Sequence, residues 1–347
     1  MLDALQQKGQ FLTMSRQDAD SLVLNQSFSV ANNTQATVLA PGIIVFEPQK
    51  PTETPTKHIV YSCGVHGNET APIEICDKIV QDIILGNLVI KHRVLFIFGN
   101  LASMDIAERF VEENMNRLFC GAHSKGPGLI NSERRRAKQL EDAVAQFFAP
   151  AGSSDTKIHY DLHTAIRASK NEKFAVYPFL HGGLHSLSQL GFIASCGVKT
   201  ILLSESVTTT FSYHSSVNHN AHAFTVELGK VKPFGQNDMS RFADAEHSLR
   251  ALISEDDYSP SVALSELDIY RVNQVINKHK DDFVLHFSDD EPNFSDFAKG
   301  TVLASETGSS YIAEQDGEAI VFPNANVALG QRALLTVVPT TLEKLDV

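Results

Sequence analysis

An α/β fold with a smaller, mostly-β C-terminal domain is what this sequence predicts. Three observations carry that prediction. The run Arg93-Val-Leu-Phe-Ile-Phe98 is nearly all apolar, as expected of a strand buried on both faces. Segments of helical period stand between such runs. After Asp256-Asp257 the chain turns to short β-like runs separated by Gly, Pro and Asn.

Taken in order, the first forty residues read as a short helix and then strand-like segments, 27–39 and 42–46, with turn residues at Asn32-Asn33 and Pro41. Residues 57–63 form the next strand. From Thr70 onward Ile73, Cys76, Ile79, Val80, Ile83 and Ile84 keep a helical period, Pro72 suits a first turn and Gly86 suits a C-terminal cap. The strand 93–98 follows. Asn131-Ser132 precedes a charged helix with Ala137, Leu140, Val144 and Phe147 as its apolar stripe, and Arg134-Arg135-Arg136 beside that stripe reads as a solvated face. Strands are expected at 157–163, 174–177, 200–203 and 223–227, and a helix at 240–253. Residues 267–278 read as either helix or extended chain, and 283–287, 301–304, 319–322 and 333–338 as short strands. The domains are therefore placed at 1–257 and 258–347.

A chain of 347 residues, 43% hydrophobic and 20% charged, is long enough to bury a sizeable core. The four cysteines, Cys63, Cys76, Cys120 and Cys196, are scattered without a CxxC pair, which argues against a disulfide framework and a cysteine-based metal site. The N-terminus lacks a basic segment followed by an apolar run, and nowhere do about 18 apolar residues follow one another. A cytoplasmic protein without a membrane partner is the expectation; the sequence assigns no oligomeric state. A net charge of −12 argues against nucleic acid. It also means that an anionic substrate would need a local cluster of arginines, for which Arg109, Arg117 and Arg167 are the candidates.

The chemistry concentrates in a few places. In Gly-Val-His66-Gly-Asn-Glu69 an imidazole and a carboxylate stand three residues apart where a strand ends and a helix begins. Zinc takes such ligands at about 2.0–2.2 Å and, in catalytic sites, binds three of them and a water. In Ile158-His-Tyr-Asp161-Leu-His163, strand alternation puts His159, Asp161 and His163 on one face, making His163 the candidate third ligand and Asp161 a candidate to accept its free N–H. Glu69 has a second reading as a helix cap, and Asp161 as a turn cap. A general base is offered by Glu227 and, on the same strand-end argument, by Glu205. Arg109, Asn116 and Arg117 lie in a polar stretch suited to carboxylate recognition, or to a plain surface. His214, His219 and His222 read as a polar loop, with a second metal site or a gating loop as rivals. His181 and His185 read as structural.

The order and spacing of Gly-Val-His66-Gly-Asn-Glu69, Asn116-Arg117-Leu-Phe, Asp161-Leu-His163-Thr and Val-Glu227-Leu-Gly resemble the succinylglutamate desuccinylase/aspartoacylase branch of the zinc carboxypeptidase superfamily. The motifs span roughly residues 60 to 235. The resemblance implies a mixed sheet flanked by helices, and one zinc ion per chain held by His66, Glu69 and His163. It implies Glu227 rather than Glu205 as the base, Arg109 as the group polarising the scissile carbonyl, and Asn116 with Arg117 as carboxylate binders. The implied reaction is hydrolysis of a small anionic acyl amino acid, N-succinyl-glutamate, in arginine catabolism. Aspartoacylase-like or carboxypeptidase-like substrates are the alternative, and a non-catalytic metal-dependent binding protein is the more distant one. The family's further arginine shortly before the base is absent from Tyr213–His222, which leaves Arg167 as the candidate for the acyl end.

Overall fold

The computed structural model describes residues 2–48, 56–342 and 345–346. The chain opens with helices α1 (Leu2–Lys8) and α2 (Phe11–Gln17) and strands β1 (Ser27–Ser29), β2 (Gln35–Ala40) and β3 (Ile43–Glu47). Its middle alternates β4 (Lys57–Cys63), α3 (Thr70–Leu85), β5 (Arg93–Phe98), α4 (Leu101–Asp105), α5 (Ser132–Phe148), β6 (Thr156–Ala165), β7 (Phe174–Tyr177), β8 (His185–Ser186), α6 (Leu187–Ser195), β9 (Thr200–Leu203), α7 (Phe211–His219), β10 (His222–Lys230) and α8 (Ala243–Ser254). The last part holds β11 (Asp268–Asn277), β12 (Val284–Leu285), β13 (Asp296–Phe297), β14 (Val302–Glu306), β15 (Ser309–Ile312), β16 (Glu318–Val321), β17 (Arg332–Pro339) and β18 (Leu345–Asp346).

A mixed sheet of 13 strands runs β1-β2-β3-β5-β4-β6-β10-β7-β9-β11-β17-β16-β13. At its centre β4, β5, β6 and β10 are parallel, so their C-terminal ends meet along one edge. Strand β4 shows how the two faces are filled. Ile59, Tyr61 and Cys63 pack with α3, α6 and α8, while Val60 packs with Leu140 and Val144 of α5 and Phe211 of α7. The sheet does not stop where the sequence motifs end, because β9 pairs in parallel with β11, which pairs with β17. A three-stranded sheet, β12-β14-β15, closes over that extension around Ile276, Leu303, Ile320 and Leu334.

Several expectations meet a different structure. Residues 211–219 are a helix, not a polar loop. Its buried face carries Ser212, His214 and Ser215 beside Phe211, so no apolar period marks it in the sequence. Nor is the arginine triplet a solvated face. Arg134 grips Glu113 at 2.6 Å, and Arg136 donates to the carbonyls of Pro41, Phe98 and Gly99, leaving Arg135 as the exposed member. Residues 267–278 resolve as strand β11.

Candidate active site

The site sits at the C-terminal ends of β4, β6 and β10. After β4 the chain crosses close to α4: a Cβ on Gly67 would lie 2.3 Å from the Met104 nitrogen, so only glycine lets this turn pass. The turn delivers His66 and Glu69 ahead of α3. Glu69 stands at the helix N-cap position but makes no capping bond with its side chain. Its Oε1 lies 2.8 Å from His66 Nδ1 and accepts from Arg109 Nη1 at 2.7 Å; its Oε2 lies 2.8 Å from His163 Nδ1 and accepts from the Thr164 N–H at 3.1 Å.

The two imidazoles are held alike. His66 Nε2 is 3.0 Å from Asn114 Oδ1, and His163 Nε2 is 2.8 Å from Asp161 Oδ2, in mid-strand rather than at a turn. Both acceptors select the Nε2–H tautomer and leave Nδ1 facing inward. The donor atoms of His66, Glu69 and His163 all lie within 4.8 Å of one another, and all three residues are buried. Although it is near Glu69, His66 Nδ1 has no hydrogen-bond partner. Electron-rich nitrogen and oxygen atoms gathered in this way fit a small divalent cation. Burial, with Arg109 adding, pushes His66 down to about 4 and keeps it neutral, as a ligand must be. Burial would also raise Glu69, but the histidines outweigh it and hold the carboxylate ionised. His163 is the one that carries the charge, since against burial the Asp161 and Glu69 carboxylates raise it well above the usual imidazole range, and a bound cation would take the place of its Nδ1 proton.

Glu227 of β10 stands in register with His163 of β6. Its Oε2 is buried without a partner, and burial followed by the Glu69 carboxylate raises it to about 7. Glu205 is exposed, beyond the end of β9. Asn116 Oδ1 accepts from the Phe211 N–H at 3.0 Å, so its Nδ2 group is the one able to serve a ligand. Arg117 is lowered to about 9 by burial and by the cations of Arg332 and Arg109. Among the described residues, neither Arg117 nor Arg332 has a carboxylate partner, and Arg332 Nε is buried unbonded. Arg167 is engaged elsewhere: its guanidinium donates to the carbonyls of Glu291 at 3.0 Å and Pro323 at 3.4 Å.

Two of these residues were not legible in the sequence. Asn114 lies inside the polar stretch singled out above, but nothing distinguishes it from its neighbours. Arg332 lies far beyond the last of the motifs in the sequence, and only the fold brings it near Arg117. His214 and His219 lie on α7 with ring centroids 5.3 Å apart, and no three-residue cluster including them is close enough to share an ion among the described residues.

A parallel-centred sheet flanked by helices, with a histidine–carboxylate–histidine cluster at its strand ends, defines a zinc-carboxypeptidase-like protein. Residues 55–253 match the succinylglutamate desuccinylase/aspartoacylase catalytic domain, and residues 265–340 match the AstE/AspA barrel-sandwich hybrid domain. The chain belongs to the succinylglutamate desuccinylase/aspartoacylase family. It is 57% identical over 345 residues to a curated succinylglutamate desuccinylase of Pseudoalteromonas atlantica, covering 99% of this chain and 98% of that one, and 50% identical to that of Shewanella frigidimarina, covering 99% and 100%. Among solved structures, the succinylglutamate desuccinylase of Chromobacterium violaceum superposes with a TM-score of 0.84 at 38% identity, covering 96% of this chain and 99% of that one. That of Vibrio cholerae gives 0.85 at 35%, covering 95% and 94%. Murine aminoacylase 3, at 17% identity and a TM-score of 0.53, covering 84% and 98%, shares the fold.

Proposed function

We propose that this protein hydrolyses the amide of N-succinyl-L-glutamate to succinate and L-glutamate, with His66, Glu69 and His163 holding one zinc ion. The observation that carries the reading is the convergence of three buried donors within 4.8 Å, one strand from a carboxylate whose Oε2 is unpartnered. The full-length relatives named for this reaction supply the substrate. A cytoplasmic location and a role in arginine catabolism are part of the same proposal, as is the division into a catalytic unit, 1–257, and a C-terminal unit, 258–347.

When bound, zinc would supply a Lewis acid that makes water nucleophilic near neutral pH. Glu227, raised to about 7, is suited to take the proton of the attacking water and return it to the departing glutamate nitrogen, which leaves as an amine. Arg109 reaches Glu69 with Nη1, and its remaining N–H groups are the ones that would face the oxyanion of the tetrahedral adduct. Arg117 and Arg332, cations without carboxylate partners, with the Asn116 amide beside them, are the receptors for substrate carboxylates. This cluster reverses locally the sign set by a net charge of −12. Arg167, with its guanidinium on C-terminal carbonyls, is assigned to holding that segment beside the site rather than to the acyl end.

The test is turnover of N-succinyl-L-glutamate, N-acetyl-L-aspartate and a short peptide by protein reconstituted with zinc after chelation. Strong preference for the succinyl substrate, abolished by chelation and restored by zinc, is the expected result. Equal or better cleavage of either of the others would refute the substrate assignment.

A further inference from the structure

We propose that Ser62, His159 and Ser215 form a one-way file of hydrogen bonds that positions Asp161, and through it His163, for metal binding. The inference rests on the assignment of His163 as a ligand. All four residues of the file, Asp161 included, are fully buried. Ser215 Oγ lies 2.6 Å from His159 Nδ1, His159 Nε2 lies 2.8 Å from Ser62 Oγ, and Ser62 Oγ lies 2.5 Å from Asp161 Oδ1. The fold sets these contacts: β4 and β6 pair Val60 with His159 and Ser62 with Asp161, and α7 lays Ser215 over the same face.

The direction of every bond follows from one end. A carboxylate only accepts, so the Ser62 hydroxyl donates to Asp161 and its oxygen must accept from His159 Nε2–H. Burial keeps His159 neutral, so its Nδ1 accepts from the Ser215 hydroxyl. All the donors thus point toward Asp161, and bonds aligned in series strengthen one another. Asp161 then has Oδ1 held by Ser62 and Oδ2 by His163 Nε2–H, which blocks carboxylate rotation and fixes the His163 lone pair at Nδ1.

Packing alone does not call for such a file. Its neighbours on this face are Val60 and Phe211, the latter edge-on to His159 at 4.7 Å, and burying an imidazole and two hydroxyls among them is costlier than burying apolar groups. The helix that carries Ser215 also holds Asn116 through the Phe211 N–H. One helix therefore braces both the metal side and the substrate side of the site.

The zinc dissociation constants of wild type, Ser62→Ala, Ser215→Ala, His159→Leu, His159→Gln and the Ser62→Ala/His159→Leu double variant, measured by competition with a chromophoric chelator, test the proposal. Thermal unfolding of each metal-free protein is followed in parallel. Ser62→Ala and His159→Leu should weaken zinc binding by about 10- to 100-fold. His159→Gln, whose amide nitrogen replaces the ring donor, should stay close to wild type, and the double variant should be no worse than the weaker single, because the groups act in series. Ser62→Ala and His159→Leu variants that bind zinc like wild type while melting at lower temperature would overturn the proposal, reducing the file to a structural role. Should His159→Leu not fold, the two serine variants, which lose only a hydroxyl, decide the matter in the same way. Wild-type protein that binds no zinc would instead refute the ligand assignment itself, and this inference with it.

Discussion

Glu227 and His163 are register partners on adjacent parallel strands, β10 and β6, so the carboxylate and the imidazole project side by side from the same face of the sheet. Replacing Glu227 with Gln keeps the shape and removes the proton acceptor. Turnover should fall by about 10²- to 10⁴-fold with zinc content unchanged. Glu205→Ala, at an exposed position, should leave kcat near wild type, and steady-state kinetics on both variants would expose a wrong assignment if the order were reversed.

The same carboxylate makes the metal-free protein sensitive to pH. Burial and the Glu69 charge raise Glu227 from 4.5 to about 7, so between these values the native state holds a proton that the unfolded chain has released. Stability is therefore lost as pH rises through that window and is not regained above it. Glu227→Gln removes the loss, and its advantage over wild type should grow by about 3 kcal/mol between about pH 4 and pH 8. Urea unfolding of both chelated proteins across that range checks this; a difference independent of pH would count against it.

Asn114 should matter to the metal as Asp161 does, because its Oδ1 fixes the Nε2–H tautomer of His66. Asn114→Ala is expected to weaken zinc binding by about 10- to 100-fold, read by chelator competition. Unchanged affinity would mean that the His66 ring is held by packing alone.

Arg332 offers a guanidinium from the C-terminal part of the chain. A hydrogen bond to a charged group contributes about 1.5–3 kcal/mol, so Arg332→Ala should lower kcat/KM for succinyl-glutamate by about 10- to 150-fold, mostly through KM. An effect on kcat alone would place this arginine away from the bound carboxylates.

Arg136 ties the end of β5 to the turn after β2 through the carbonyls of Gly99, Phe98 and Pro41. Arg136→Ala leaves those partly buried acceptors short of a donor and should destabilise the fold by about 1–3 kcal/mol with little change in KM. Thermal unfolding beside steady-state kinetics separates the two effects.

The strands and helices that the sequence shows plainly are those whose buried positions are mostly apolar. Strands β4 and β5, and α3 with its left-handed Gly86 cap, lie where periodicity and turn chemistry put them. Helix α7 does not show because serine and histidine share its buried positions with Phe211 and Tyr213, so no apolar period emerges, and His159 meets Ser215 there rather than an apolar side chain. The gathering of His66, Glu69 and His163 follows from strand ends and short spacing, both local features. Asn114 and Arg332 depend on which loop and which distant strand fold over that edge, and residue type carries no record of it. The arginine triplet misleads for the opposite reason, since Arg134 finds the Glu113 carboxylate and Arg136 finds backbone carbonyls brought in from β5 and the β2–β3 turn.

The parallel pairing of β9 with β11 has a practical outcome for anyone dissecting this protein. A fragment ending near residue 257 would lose β11, the neighbour of β9, and leave that strand's backbone N–H and C=O groups facing water as a template for other chains. Such a fragment should self-associate and precipitate rather than behave as a minimal enzyme, and adding the missing C-terminal piece in trans should rescue its solubility.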